Sequence, residues 1–276
     1  MTNPDSASQD ASTPRQMSPE IAIADLQQTE DTSRRYYAAW WIGNQRVADL
    51  AAREALIAAL RDETDRSPDG GYPLRRNAAK ALGKLDDRAA VEPLIACLGC
   101  DDYYVRESAA RALEALKDSR AIAPLVALLD GGVAAAVAVP GKPHLVQPYD
   151  AILEALGALN ARDAIAAVEP FCQHETARVS YSAHRAMYQL TDETRYAEVL
   201  VQALQGKKLQ LRRSALLDLG AIGYYPAARP VAETLAENSL KLISLQGILA
   251  RVVREAGGDA LSEQTVETLK LMDDLL

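Results

Sequence analysis

The sequence predicts an all-α fold, a solenoid of about six to seven stacked helix pairs, and three observations carry that prediction. The chain is 49% apolar with only 5% aromatic residues, so alanine and leucine dominate. Both are strong helix formers, and small side chains let helices approach closely. Alternating runs of Val, Ile and Thr are missing, which leaves strands little support. Above all, one helical motif recurs. Leu74-Arg-Arg-Asn-Ala-Ala-Lys-Ala-Leu-Gly-Lys-Leu85 returns about 31 residues on as Val105-Arg-Glu-Ser-Ala-Ala-Arg-Ala-Leu-Glu-Ala-Leu116. It returns again across Pro148 to Leu159, loosely over Val179 to Leu190, and closely over Leu211 to Ile222.

The elements follow in order. Residues 1–17 are rich in Ser, Thr, Asp, Gln and Pro and are expected to form a mobile tail, with the solenoid occupying 18–276. Ser18-Pro19-Glu20 reads as a helix start, with serine as N-cap and proline at the first helical position. That short helix is expected to run through Leu26. Arg35 to Gly43 leads the array as an atypical first unit. A second, shorter element lies between copies, as Asp87-Arg-Ala-Ala-Val-Glu-Pro-Leu94 and Ser119-Arg-Ala-Ile-Ala-Pro-Leu125. Arg162-Asp-Ala-Ile165 and Pro226 to Pro230 echo it weakly. Residues 131–148, punctuated by Gly131, Gly132, Pro140, Gly141, Pro143 and Pro148, insert a long loop of the kind that serves either binding or mere excursion. Ser239 to Val253 closes the array in degenerate form, as capping repeats do. Within one copy, Leu74, Ala78, Leu82 and Leu85 share a helix face that is expected to be buried. The pattern V/L-R-x-x-A-A-x-A-L resembles HEAT repeats, although their usual period is about 40–47 residues.

Composition excludes several function classes. A formal net charge of −8 argues against a nucleic-acid backbone as partner. No apolar run approaches the ~18–20 residues a membrane span needs, and no secretory leader follows the first methionine, so a cytoplasmic protein is expected. Three cysteines, Cys97, Cys100 and Cys172, are expected to be reduced. Cys97 and Cys100 form a lone CxxC without the second pair that a zinc site requires. No HExxH, no nucleophile–histidine–acid order and no phosphate-cradling glycine loop is present. His144 lies in the inserted loop, and His184 falls on an alanine slot, which suggests partial burial.

The most informative segment is Arg34-Arg-Tyr-Tyr-Ala-Ala-Trp-Trp-Ile42, which holds both tryptophans. Aligned on the later copies, Tyr36 replaces Arg76 and Trp40 replaces Lys80, and the same slots hold Glu107 and Arg111, then Asp150 and Glu154. Slots filled by charges elsewhere are expected to be solvated, so Tyr36 and Trp40 form an exposed ledge one helical turn apart. Tyr37 and Trp41 form a second pair beside it. Exposed aromatic pairs suit a flat conjugated ligand or a protein interface; the competing reading has them fill a capping core near Ile21. Arginines at helix starts, among them Arg35, Arg75, Arg76 and Arg106, either pair with loop aspartates such as Asp101 or Asp102, or clamp ligand carboxylates. Tyr72 and Tyr104 belong to a series of tyrosines that either pack or wall a groove. From these residues alone, the reading ends at a helical solenoid with an aromatic and arginine-rich surface.

Several segments are also familiar as a set. Tyr36-Tyr-Ala-Ala-Trp-Trp-Ile42 resembles the Tyr-Tyr-Ala-Ala-Trp-Trp-Leu signature of the E-type chain of the heterodimeric E/F-type phycobilin lyases, with Ile42 in the leucine position. Gly71-Tyr-Pro-Leu-Arg-Arg-Asn-Ala-Ala79, Asp102-Tyr-Tyr-Val-Arg-Glu107, Gln147-Pro-Tyr149 and Leu209-Gln-Leu-Arg-Arg213 are similar to that chain as well, so the resemblance spans roughly Ser33 to Ala250. It implies a heterodimer with an F-type partner that works in phycobilisome assembly. The pair would attach phycocyanobilin, a substrate rather than a resident cofactor, to a cysteine of the phycocyanin alpha chain. The thioether forms by addition of the thiol to the bilin ethylidene. It also implies Tyr36, Tyr37, Trp40, Trp41, Arg35, Arg76, Tyr72 and Tyr104 as candidates for holding the bilin, with no catalytic residue assigned. Other bilins, a lyase-isomerase activity, and a non-enzymatic adaptor for phycobilisome components are the alternatives.

Overall fold

A computed structural model describes residues 16–257 and 262–276; all but the last two residues of the expected tail lie outside them. Among the described residues the chain is helical throughout, with a single isolated bridge, Ala138 to Leu145, as its one extended pairing. In chain order the helices are α1 (Pro19–Gln27), α2 (Thr32–Gln45), α3 (Leu50–Ala59), α4 (Pro73–Leu85), α5 (Val91–Cys97), α6 (Tyr103–Leu116), α7 (Ile122–Ala127) and α8 (Gly132–Ala135). They continue with α9 (Tyr149–Ala158), α10 (Ile165–Val168), α11 (Ala177–Thr191), α12 (Thr194–Ala203), α13 (Leu209–Ile222), α14 (Ala228–Glu233), α15 (Asn238–Glu255) and α16 (Glu263–Asp273).

The motif-bearing helices α2, α4, α6, α9, α11, α13 and α15 pack each on the next in one row. The other helices form a second row behind them, so that α1 backs α2, α3 backs α4, and so on to α14 behind α15. Seven pairs therefore stack, as the motif count predicts. Alanine makes this close: Ala38, Ala39, Ala78, Ala79, Ala109, Ala110, Ala183 and Ala215 are all fully buried between helices. The expected stripe holds, with Leu74, Ala78 and Leu82 sealed and Leu85 half-buried at the helix end.

Local signals explain the joints. Ser18 caps α1 by accepting from the Ile21 amide, and Asp31 caps α2 by accepting from the Arg34 amide. Asp87 and Asp118 accept from the amides two residues on and start the single 3₁₀ turns that lead into α5 and α7. The inserted segment departs from a plain loop. It contains the one-turn α8, and then a small hairpin in which Val146 donates to the Val137 carbonyl and Val139 to the His144 carbonyl.

Helices α3 and α12 carry no copy of either sequence motif yet take their places in the second row, burying Ala52, Ala55, Leu56 and Ala59 and Tyr196, Ala197, Leu200 and Ala203 respectively. One expectation needs correction. The rule that a slot charged in other copies is solvated holds for Lys80 but fails for Glu154, which is 1% exposed. There the charge is compensated within the stack rather than hydrated. Arg111, Arg178 and Arg185 place guanidinium nitrogens 3.0, 2.5 and 3.3 Å from it.

Candidate functional site

The candidate site lies where α2, α4 and α6 pass one another. The helical repeat of α2 divides its residues: Arg35, Ala38, Ala39, Ile42 and Gly43 face the core, while Tyr36 and Trp40 project outward at 45% and 44% exposure. Facing them are Asn77, Lys80 and Lys84 of α4 and Ser108 and Arg111 of α6, enclosing a cavity of about 470 Å³. Its floor is shallow because glycine and alanine meet there. A Cβ on Gly43 would come within 2.6 Å of the Ala81 Cα, and one on Gly83 within 2.8 Å of the Ala112 Cα.

The cavity continues. A smaller compartment of about 190 Å³ shares Tyr36, Asn77, Lys80 and Ser108 with it and adds Arg76 and Tyr104. Arg76 and Tyr104 in turn line a third compartment of about 540 Å³, walled by Tyr72, Tyr103, Arg106 and the inserted segment at Lys142, Pro143 and His144. One groove thus runs from Trp40 to His144 across three helices. Its walls alternate rings with cations. Lys80, Lys84 and Lys142 are exposed and form no ion pair among the described residues.

Asp102 organises the middle of this groove. It caps α6 through the Tyr104 amide at 2.8 Å, accepts from the Tyr72 amide at 2.8 Å, and holds the Arg76 Nε at 2.8 Å and Nη2 at 2.7 Å. The Arg76 guanidinium lies 4.6 Å over the Tyr104 ring. The expected pairing of an arginine with Asp102 is therefore present, and it fixes Arg76 at the groove without exhausting it: Nη1 makes no hydrogen bond among the described residues.

The other candidates divide. Arg35 is corrected as a ligand clamp: it is 7% exposed and its guanidinium is consumed by Asp62 at 2.6 Å, the Leu26 carbonyl and Thr64. Tyr72 stays at the wall of the third compartment, with the guanidiniums of Arg66 and Arg75 over its ring at 3.9 and 4.0 Å. Tyr37 and Trp41 do not form a second pair. Trp41 is half-buried against the core, while Tyr37 is exposed with its ring 5.5 Å from that of Trp40, bordering a hollow with Met17, Ile21 and Arg34. Neighbouring residues on a helix point about 100° apart, so Tyr36 and Tyr37 face different surfaces. Sequence reasoning missed the groove role of Lys80, which was visible as the Trp40 slot in the next copy, and that of Lys84 and Arg111. It also missed the wall contributed by His144 and Lys142, whose position follows from the insertion's fold and had no local signal.

The thiols lie elsewhere. Cys97 and Cys172 are buried, and burial pushes their thiols up to about 11 and about 12. Among the described residues no group of His, Cys, Asp and Glu is arranged to hold a metal ion, and no helix is long and apolar enough to cross a membrane.

Comparison with known proteins adds identity to this geometry. Residues 65–138 match the family model for HEAT repeats. The chain is 63% identical over 257 residues to the phycocyanobilin lyase subunit alpha of a Picosynechococcus species, covering 93% of this chain and 96% of the relative. It is 60% identical over 258 residues to the same subunit of a Synechocystis species, covering 92% and 95%. A solved complex of CpcE and CpcF of phycocyanin lyase from a Nostoc species contains a chain that superposes with a TM-score of 0.89 at 56% identity, covering 99% of this chain and all of that one.

Proposed function

The chain belongs to the family of phycocyanobilin lyase alpha subunits, and from that premise we propose that it acts with an F-type partner subunit to attach phycocyanobilin to a cysteine of the phycocyanin alpha chain. The observation that carries this reading is the continuous groove in which Trp40, Tyr36 and Tyr104 alternate with Lys80, Lys84 and Arg76. A linear tetrapyrrole is a long conjugated strip with two propionates. Rings along the strip stack with it, and ammonium and guanidinium groups beside the rings pair with the propionates.

The nucleophile comes from the acceptor protein, so the reaction asks no thiolate of this chain, and the two buried thiols suit that division of labour. What the chain supplies is position. Holding the bilin extended on a rigid helical floor presents one face of its ethylidene to the incoming sulfur, and orientation alone accounts for several powers of ten in rate. Phycocyanobilin is thus substrate rather than resident cofactor, and the expected setting is the cytoplasm.

Coexpression with the F-type partner, a bilin source and the phycocyanin alpha chain tests the reading. A covalently pigmented, fluorescent acceptor is the expected result. An acceptor or bilin that binds without attachment would make the protein an adaptor. Attachment of another bilin, or to another acceptor chain, would leave the lyase chemistry and replace the substrate.

A further inference from the structure

The geometry points to His144, in the inserted segment, as the proton-transfer residue of the attachment reaction; this rests on the lyase reading above. The segment that carries it is built, not loose. Arg106 of α6 donates to the Val146 carbonyl at 2.8 Å and to the Gln147 side-chain oxygen at 2.8 Å, and His174 reaches the Ala136 carbonyl at 3.0 Å. Backbone hydrogen bonds between Val137 and Val146 and between Val139 and His144 close the hairpin. At its end the His144 ring lies stacked on Tyr103, 4.1 Å between centroids and 13° between planes, with Tyr104 edge-on at 5.8 Å. The imidazole is therefore held from two sides where it walls the largest compartment of the groove.

Its protonation pattern follows from one contact. His144 Nδ1 lies 2.8 Å from the Leu145 carbonyl oxygen, which can only accept, so in the neutral ring Nδ1 carries the proton and Nε2 carries the lone pair. Nε2 has no hydrogen-bond partner among the described residues. The charged groups around the compartment are the cations Arg76, Arg106 and Lys142 and the carboxylates Asp69, Asp101 and Asp102. Asp102 is held by Arg76 Nε and Nη2, with Arg76 Nη1 left without a hydrogen bond among the described residues, and Arg106 donates to backbone carbonyls. Tyr103 is no acid or base near neutrality, because burial and the Asp150 and Glu107 carboxylates push its phenol well up. Among the described residues lining the groove, His144 carries the imidazole, the side-chain type most often used to take up and return a proton in catalysis.

The addition needs such a group. The acceptor thiol loses its proton to Nε2 as sulfur bonds to the outer ethylidene carbon. The ethylidene π pair moves onto the ring carbon, which takes a proton back from Nε2. One S–H bond and one C=C π bond are exchanged for one S–C and one C–H bond, with no oxidant or reductant required.

The test uses the complex with the F-type partner, phycocyanobilin and unpigmented phycocyanin alpha chain, comparing His144→Gln, His144→Phe and His144→Gly. Non-covalent bilin uptake is read by absorption and attachment by single-turnover rate. All three variants are expected to take up bilin within about threefold of wild type. Gln and Phe are expected to slow attachment by about 10²-fold or more, and added imidazole to restore the Gly variant. A Phe variant that attaches at the wild-type rate would reduce His144 to a stacking wall and overturn the proposal. Bilin uptake that falls in step with attachment would overturn it too. A wild-type complex that attaches no bilin at all would instead defeat the underlying lyase reading.

Discussion

At the scale of single residues, comparison of repeat slots separates groove from core only where the slot is exposed. Tyr36 and Trp40 were legible because Arg76 and Lys80 fill their slots one repeat later and mark them as turned away from the core. Arg35 was not, because an arginine that clamps a ligand and one that ties two helices read alike in sequence; only its burial against Asp62 decides. The distinction shapes the most direct test of the groove. Trp40→Ala removes a ring that is 44% exposed and supports no buried neighbour through hydrogen bonds, so the thermal midpoint should move by about 2 °C or less. Bilin binding should weaken roughly tenfold, the worth of one stacking contact. Adding Arg76→Ala confuses the result, since it strips the cation from buried Asp102 and should cost about 1–3 kcal/mol of stability. The single variant, scored by bilin titration and by melting of the same preparation, is therefore decisive; equal bilin affinity in both proteins would remove Trp40 from the site. The cysteines give the opposite expectation. With thiols near 11 and 12, Cys97→Ser and Cys172→Ser should leave attachment per folded molecule unchanged. A fully folded serine variant that no longer transfers bilin would assign a thiol a role in this chain.

At the scale of helices, the repeat works through four devices of which sequence displays one. The alanine stripe was visible. The helix ends were not. Arg46, Asp86, Lys117, Asn160, Asp192 and Gly223 all adopt the left-handed conformation where a long helix stops, and only Gly223 and, less strongly, Asn160 are of residue types that advertise it. Nor was the arginine ladder visible as such. Arg35, Arg75, Arg106 and Arg212 occupy one slot and donate to carbonyls at or just beyond the end of the preceding short-row helix, at Leu26, Asp62, Cys100 and Gly206. Those carbonyls lie within three residues of the end of each short helix, where unpaired acceptors collect and a guanidinium's several donors satisfy them. The fourth device is close approach at glycine, and it yields a prediction with a contested sign. Gly43→Ala should gain up to about 1 kcal/mol of helix propensity. Its Cβ would nevertheless sit 2.6 Å from the Ala81 Cα, a backbone atom that moves only with its helix, so overpacking of about 1–3 kcal/mol should win. The variant is expected to melt lower and, by prising α2 from α4, to bind bilin less tightly. Gly99→Ala, whose Cβ meets nothing nearer than 3.7 Å, is the control and should melt within about 1 °C of wild type. A Gly43 variant that melts as high as wild type would mean the two helices are not in register contact.

For the whole molecule, the row of long helices is pinned at its middle by charge, which a count of apolar positions cannot foresee. Glu154 of α9 and Asp218 of α13, each 1% exposed, share the guanidiniums of Arg178 and Arg185 from α11, and Glu154 also takes Arg111 of α6. The two carboxylates are not equivalent. Burial works against ionising Glu154, but three guanidiniums outweigh it and hold its carboxyl below the usual glutamate value. Asp218 has nitrogens only at 3.5 and 3.8 Å and no hydrogen bond, and burial together with the Glu154 charge pushes it up to about 6. An aspartate in the unfolded chain titrates near ~3.9, so between about pH 4 and 6 the folded protein binds the extra proton. Asp218 therefore contributes least to stability above pH 6, and its contribution grows as pH falls toward 4. Glu154 runs the other way, supplying stability at neutral pH that is lost as its carboxyl protonates in acid. His184, lowered by burial, also costs stability as pH falls through the ordinary histidine range. The wild-type curve sums these opposing slopes, so Asp218→Asn, which deletes only one of them, isolates the effect. The asparagine variant should be at least as stable as wild type at pH 7.5 and should lose that advantage by pH 5. Thermal midpoints of both proteins measured every half unit from pH 4 to 8 decide it; two curves that stay parallel across that range would mean Asp218 is ionised throughout and the stack is joined by a balanced ion cluster.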